Sequence, residues 1–130
     1  MKFLIVEDDR NKRLFLESFF KQKGYETYSF RSVQPAINYA VEHSIKLNGI
    51  ILDLGLSSYD YSDDDYSYTR GLDLIEALDK KGIYIPILIN SSVYISNLNQ
   101  IQENYKELIM KMDDDEWELR RFLNRILEKK

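Results

Sequence analysis

A chain of 130 residues, with 44% hydrophobic and 31% charged residues, has the length and composition of one globular domain. Its formal net charge of −4 argues against direct nucleic-acid binding, which needs a basic surface. The absence of cysteine excludes disulfides, thiolate metal sites and a cysteine nucleophile. The first apolar run, 3–6, is too short for a signal peptide or a membrane span, so we expect a cytoplasmic protein without membrane contact.

The N-terminal part of the chain alternates short apolar runs with amphipathic stretches, a pattern typical of βα units. A strand at 2–6 precedes a helix that ends at Gly24, and a strand at 25–30 precedes a helix that Ser32 caps. A third strand is predicted at 50–53. The apolar faces of the two helices hold residues at helical spacing: Leu16, Phe19, Phe20, Ala36, Ile37, Ala40 and Val41.

The second half of the chain continues the same alternation. A third helix closes at Gly82, and a strand at 86–89 begins with a proline, where no ladder donor is needed. The stretch 94–105 is mostly polar and predicts only a short or irregular fourth helix. A strand at 108–110 and an amphipathic fifth helix complete the pattern. The apolar positions of the third and fifth helices are Leu72, Ile75, Leu78, Leu119, Phe122, Leu123, Ile126 and Leu127.

Five apolar strands separated by helices predict an α/β fold, a doubly wound five-stranded parallel sheet with helices on both faces. Such sheets bind ligands at the carboxyl ends of their strands, near a topological switch point. The polar side chains that follow the predicted strands are therefore the candidate site: Glu7, Asp8, Asp53, Ser91, Ser92 and Lys111.

The carboxylates at two of these strand ends predict a magnesium site. Glu7, Asp8 and Asp53 would repel one another unless a cation lay between them, and their oxygens are the ligands that Mg²⁺ prefers. With that charge neutralised, Asp53 can attack phosphorus as a nucleophile. Ser91 and Lys111 can then contact the oxygens of the transferred group. The expected product is an aspartyl phosphate.

Each position also has a simpler interpretation on its own. Asp53 alone is most often a turn residue or a helix cap, and an acidic run at 7–9 is favourable in the first turn of a helix. A serine after a strand is common. Four strand ends that carry complementary groups together favour the functional interpretation over these separate ones.

Four segments and one lysine carry motifs of a known family. The segments are 2–9, 51–54, 71–75 and 85–92. Together with Lys111, they resemble the receiver domains of two-component response regulators over essentially the whole chain, 1–130. Ser91 falls at the threonine or serine switch position of that family, and Ser92 at the small residue after it.

The resemblance implies a flavodoxin-like fold and phosphoryl transfer to Asp53 from a histidine kinase or a phosphotransfer protein. It implies Mg²⁺ held by Glu7, Asp8, Asp53 and the backbone carbonyl of Gly55. It also implies a switch in which Ser91 moves toward the phosphoryl group and remodels the face that binds a downstream protein. The implied role is signalling, with at most slow self-dephosphorylation, and a homodimer is left open.

Three features depart from the family pattern. Met112 follows Lys111 where the family usually has proline, so the family's cis peptide is in question. Leu108 stands where the family has an aromatic residue that reports the switch. The segment 55–70 is a long loop rich in tyrosine and aspartate, for which a lid or docking role and a plain insertion are both open.

Two other functions remain open on the sequence. The first is a Mg²⁺-dependent phosphohydrolase that acts through a transient phosphorylated Asp53. Gly55 counts against it, because that class usually has a carboxylate two residues after the nucleophile. The second is a degenerate receiver that binds partners without phosphorylation, which Leu108, Met112 and the unusual loop favour.

Overall fold

Five strands and five helices alternate along residues 1–55, 71–90, 97–112 and 116–129, which the computed structural model of the protein describes. The strands are β1 (Lys2–Val6), β2 (Glu26–Phe30), β3 (Gly49–Leu52), β4 (Ile87–Asn90) and β5 (Ile109–Met112). The helices are α1 (Arg10–Gln22), α2 (Val33–Glu42), α3 (Leu72–Lys80), α4 (Leu98–Asn104) and α5 (Glu116–Glu128). A short 3₁₀ turn, Ser44–Lys46, follows α2.

The strands form one sheet in the order β2-β1-β3-β4-β5, and every pair of neighbours is parallel. The predicted fold class is thereby confirmed. The chain first adds β2 on one side of β1 and then adds β3 on the other side, so the direction of winding reverses between β1 and β3. The carboxyl ends of these two strands are therefore the switch point, where a ligand site is expected.

Each face of the sheet has its own apolar core. The side chains of alternate strand residues point to opposite faces, so one face packs against α1 and α5 and the other against α2 and α3. The α1/α5 core contains these residues at 6% exposure or less: Phe3, Ile5, Leu16, Phe19, Phe20, Ile51, Leu88, Leu119, Phe122, Leu123 and Ile126. Both layers hold the strand ends in fixed positions.

The element boundaries differ from the predicted ones in places. β3 ends at Leu52, so that Asp53 follows the strand, and β5 extends to Met112, so that Lys111 lies inside it. The predicted core residue Leu127 is 46% exposed, because it lies past the edge of the apolar stripe of α5. In the parts that the structure describes, no helix has the length and hydropathy needed to span a membrane.

The predicted helix ends at the two glycines are confirmed. Gly24 has φ +80° and Gly82 has φ +70°, backbone angles that cost little only for glycine. The N–H of Gly82 donates to the carbonyl of Asp79 in the last turn of α3. These turns return the chain to the amino ends of the strands.

Tyr105, at the C-terminal end of α4, hydrogen-bonds both backbone groups of Ile85, which precedes β4. Its hydroxyl accepts a hydrogen bond from the Ile85 N–H at 2.9 Å and donates one to the Ile85 carbonyl, also at 2.9 Å. Tyr105 is 5% exposed, and burial raises the pKa of its hydroxyl to about 12. This pair of bonds ties the segment after α4 to the segment that leads into β4.

Replacement of Tyr105 by phenylalanine is expected to lower the free energy of unfolding by about 1–3 kcal/mol, because a buried backbone donor then loses its partner. Urea denaturation measures the change. Tyr84→Phe is the matched control, since the Tyr84 hydroxyl donates to Asp79 at the surface and its loss should matter little. Equal effects of the two substitutions would contradict the structural role of Tyr105.

Candidate functional site

Three carboxylates meet at the carboxyl ends of β1 and β3. Glu7 and Asp8 directly follow β1, and Asp53 directly follows β3. The Asp53 N–H donates to the carbonyl of Val6 at 2.9 Å, so the ladder between the two strands continues to Asp53. One carboxylate oxygen from each of the three residues lies within 4.8 Å of the others. The predicted acidic cluster is therefore present.

The third acid of the first run has a different role. The side chain of Asp9 accepts a hydrogen bond from the Lys12 N–H at 3.0 Å and caps α1. Asp9 therefore caps the helix, whereas Glu7 and Asp8, the two residues before it, belong to the acidic cluster. The alternative interpretation of this run, as the acidic first turn of a helix, is wrong, because α1 begins at Arg10 and its first turn contains no acid.

Among the three acids of the cluster, Glu7 has the pKa that departs furthest from its ordinary value. It is only 1% exposed, and burial raises the pKa of its carboxyl to about 9, with a hydrogen bond that the protonated carboxyl donates to Asp53 and the negative charge of Asp53 adding to the effect. Its Oε2 accepts a hydrogen bond from the Asp9 N–H at 3.4 Å, whereas its Oε1 is buried with no hydrogen-bond partner. The pKa of Asp8 is also raised, mainly by burial and then by the charge of Asp53.

The donor set fits a hard divalent cation. Buried polar atoms are normally hydrogen-bonded, and an unpartnered carboxylate oxygen beside two other carboxylates is accounted for by a metal ligand role. A cation would also offset the mutual repulsion that raises the pKa values of Glu7 and Asp8. The Gly55 N–H donates to Asp53 Oδ1 at 3.2 Å, which brings the backbone of Gly55 next to this carboxylate.

Gly71 packs directly against the backbone of Asp53 and Leu54. A Cβ at this position would lie 2.5 Å from the carbonyl oxygen of Asp53 and 2.7 Å from the Cα of Leu54. The Gly71 N–H also donates to the Leu54 carbonyl at 3.0 Å. The close approach of the two backbones therefore requires glycine, and the start of α3 supports the position of Asp53. The sequence showed this glycine only as part of a family motif.

The remaining predicted site residues are placed as follows. Lys111 is half-buried on β5, paired with Ile89 of β4, and so lies at the same edge of the sheet as Asp53 with β4 between them. Ser91 and Ser92, and residues 56–70 of the long loop, lie outside the described residues. Among the peptide bonds of the described residues, none is cis.

One polar residue next to the site was not predicted. Asn90 ends β4, is 4% exposed, and has an Oδ1 without a hydrogen-bond partner. The sequence offered one indication of this residue: Asn90 directly follows the apolar run 87–89. A buried residue at that position is usually apolar, so a polar one indicates a specific role.

Comparison with known proteins gives a clear result for the fold. The sequence matches no protein-family model, and no curated protein aligns with it significantly. The structure is similar to the receiver domain of Francisella response regulator 1452, with 18% identity, a TM-score of 0.74, and coverage of 99% of this chain and 98% of that one. It is also similar to the chemotaxis protein CheY4 of Vibrio cholerae, with 17% identity, a TM-score of 0.70, and coverage of 96% and 97%.

A third similar structure is the response regulator TrrA of Thermotoga maritima, which was crystallised in complex with Mg²⁺ and BeF. Its identity is 16% and its TM-score 0.67, with coverage of 96% of this chain and 97% of that one. The chain thus has the flavodoxin-like fold of response regulator receiver domains along nearly its whole length.

Proposed function

We propose that this protein is a phospho-accepting signalling switch in which Asp53 takes the phosphoryl group. The observation that carries the proposal is the cluster of three carboxylates within 4.8 Å at the switch point, with a buried and unpartnered oxygen of Glu7 beside Asp53. Ordinary surface acids are solvated and do not need such an arrangement. The shared receiver fold supports the same role.

Glu7, Asp8 and Asp53, with the backbone carbonyl of Gly55, are the proposed ligands of Mg²⁺. When bound, the ion supplies positive charge that offsets the repulsion between Asp53 and an incoming phosphoryl group. Support comes from the hard oxygen donors of the cluster and from the similar TrrA structure, whose complex contains Mg²⁺ and BeF.

The transfer itself needs little from the protein beyond position and charge. An Asp53 carboxylate oxygen attacks phosphorus, a P–O bond forms, and the P–N bond of a phosphohistidine donor breaks. Asp53 is suited to this because the strand ladder fixes its backbone and the Gly55 N–H orients one carboxylate oxygen. Lys111, Ser91 and Ser92 are the proposed contacts of the phosphoryl oxygens.

The proposed donor is a histidine kinase or a phosphotransfer protein, and the proposed output is contact with a downstream protein. Leu108 is half-buried beside the α1/α5 core, so an aliphatic residue stands where the family has its aromatic reporter. An aliphatic side chain cannot swing a ring between buried and exposed positions. The output of this protein is therefore proposed not to depend on an aromatic rotamer at this position.

Incubation with acetyl phosphate and Mg²⁺ is expected to add one phosphoryl group to the protein, as measured by intact-protein mass. Asp53→Asn removes the nucleophile, and chelation removes the cation, so neither sample should gain mass. Asp79→Asn, at an exposed acid of α3, is the matched control and should be phosphorylated normally.

Other outcomes would select the alternatives. Consumption of acetyl phosphate without an adduct would indicate a phosphohydrolase. If the protein gains no mass and the donor also survives, the switch proposal is wrong, and the fold serves as a binding module.

A further inference from the structure

Two buried side-chain oxygens in the described part of the chain have no hydrogen-bond partner, Oε1 of Glu7 and Oδ1 of Asn90. Native proteins satisfy nearly all buried polar atoms, so each exception calls for a ligand, a water or a functional reason. The oxygen of Glu7 is accounted for by the proposed metal site. The amide of Asn90 is neutral and needs a separate explanation.

The sheet register places Asn90 beside Asp53. Leu52 of β3 pairs with Ile89 of β4 as the last pair of this ladder, and continuing the parallel register by one residue brings Asp53 opposite Asn90. Ile51 and Leu88, two residues earlier on each strand, both lie in the α1/α5 core. Because side chains alternate between faces, those of Asp53 and Asn90 leave the sheet on the same face.

Glu7 belongs to the same row. It follows Ile5 by two residues, and Ile5 pairs with Ile51 and lies in the same core. Glu7, Asp53 and Asn90 therefore lie in one row at the carboxyl ends of β1, β3 and β4, with Asp53 in the middle. The two unpartnered oxygens thus flank the acceptor, the carboxylate on the β1 side and the amide on the β4 side.

Adjacent strands lie about 4.8 Å apart, a distance at which one bridging water can donate to both an asparagine oxygen and a carboxylate oxygen. We propose that Asn90 is a positioning residue: a water donates one O–H to the unpartnered Oδ1 of Asn90 and the other O–H to the Asp53 carboxylate, and so restrains that carboxylate from the β4 side. This contact restrains one carboxylate oxygen of Asp53 and leaves the other oxygen to the proposed cation site. This inference rests on the proposed function of Asp53 as phospho-acceptor.

The chemistry explains why an amide suits this position. An amide can donate and accept at once, and it adds no charge to a cluster in which three acids already repel one another. A carboxylate here would raise that repulsion, and an apolar residue would leave one side of the Asp53 carboxyl without a restraint. Asn90 therefore differs in role from Glu7 and Asp8, which serve the cation.

The test compares Asn90→Thr with Asn90→Val, two β-branched side chains of the same shape that differ in a hydroxyl group. The rate of phosphorylation by acetyl phosphate at saturating Mg²⁺ is expected to fall about tenfold in the valine variant, the effect of one hydrogen bond. The threonine variant should stay within about threefold of wild type, because its hydroxyl can still bond. The dissociation constant for Mg²⁺ should be unchanged in both variants.

Equal rates in the two variants would overturn the proposal, because packing alone would then explain Asn90. A loss of Mg²⁺ affinity that matches the loss of rate would also overturn it, since Asn90 would then act through the metal site. A wild-type protein that takes no phosphoryl group would instead refute the acceptor function of Asp53.

A second measurement tests the contact without phosphorylation. The side-chain amide signal of Asn90 in a ¹⁵N-correlated NMR spectrum is identified by its loss in the valine variant. In the presence of Mg²⁺, it is expected to shift on Asp53→Ala. An unchanged signal would refute the contact between Asn90 and Asp53, whatever the outcome of the phosphorylation experiment.

Discussion

The metal-free protein is expected to lose about 2–3 kcal/mol of its free energy of unfolding between about pH 6 and pH 8, through the ionisation of Glu7. Burial raises the pKa of this carboxyl from its ordinary 4.5 to about 9. Between these two values the folded state holds a proton that the unfolded state has released. Stability from this group is therefore complete below about pH 4.5 and falls as the pH rises toward 9.

Urea denaturation across this range, in the presence of a chelator, measures the slope. Glu7→Gln is the decisive control, because a neutral isosteric amide keeps the packing and removes the titration. The variant is expected to be more stable than wild type at about pH 8, and its stability should change much less with pH. The reason is that Asp8 is then the one acid of this cluster whose pKa is still raised. Parallel profiles for the two proteins would show that Glu7 does not carry the effect.

Addition of Mg²⁺ should reverse the trend in the wild-type protein. A cation site needs deprotonated ligands, so stabilisation by Mg²⁺ should grow as the pH rises through the range in which Glu7 ionises. Glu7→Gln should lose most of this stabilisation. Glu7 would thus destabilise the metal-free protein at high pH and bind the cation in the Mg²⁺-bound protein.

The fold was predictable because its signals are local and repeated. Apolar runs such as 3–6 and 87–89 predict strands from local sequence alone. Because the carboxyl ends of parallel strands lie at the same end of a sheet, the sequence then also predicts that Glu7, Asp8 and Asp53 lie together. The boundaries were less certain because backbone pairing decides them, as the two additional residues of β5 show.

The supporting features of the site were not predictable in the same way. Whether Asn90 lies beside Asp53 depends on the register between β3 and β4, and a slip by one residue would turn it to the other face. The role of Tyr105 depends on a contact with a residue twenty positions earlier. The approach of Gly71 to Asp53 depends on where α3 begins in space. Each is a long-range relation that sequence patterns do not record.

Replacement of Gly71 by alanine is expected to destabilise the protein by about 2–3 kcal/mol and to slow phosphorylation of Asp53 about tenfold or more. The backbone of Gly71 has φ −60°, which alanine adopts readily, so backbone conformation alone predicts little cost. The added Cβ would instead lie 2.5 Å from the Asp53 carbonyl oxygen and 2.7 Å from the Leu54 Cα. Both atoms belong to the backbone and cannot turn away.

The main chain that carries Asp53 must therefore shift, and a displacement of this size would misplace its carboxylate for the proposed phosphoryl transfer. Gly82→Ala is the matched control. It has φ +70° with open space around its Cβ, so alanine should cost about 1–2 kcal/mol through backbone strain alone. Urea denaturation and the acetyl phosphate assay, applied to both variants, separate the two effects. Loss of stability in both variants, with slow phosphorylation only in Gly71→Ala, would show that α3 sets the position of Asp53. Normal phosphorylation of Gly71→Ala would show that the proposed phosphoryl transfer to Asp53 tolerates this displacement.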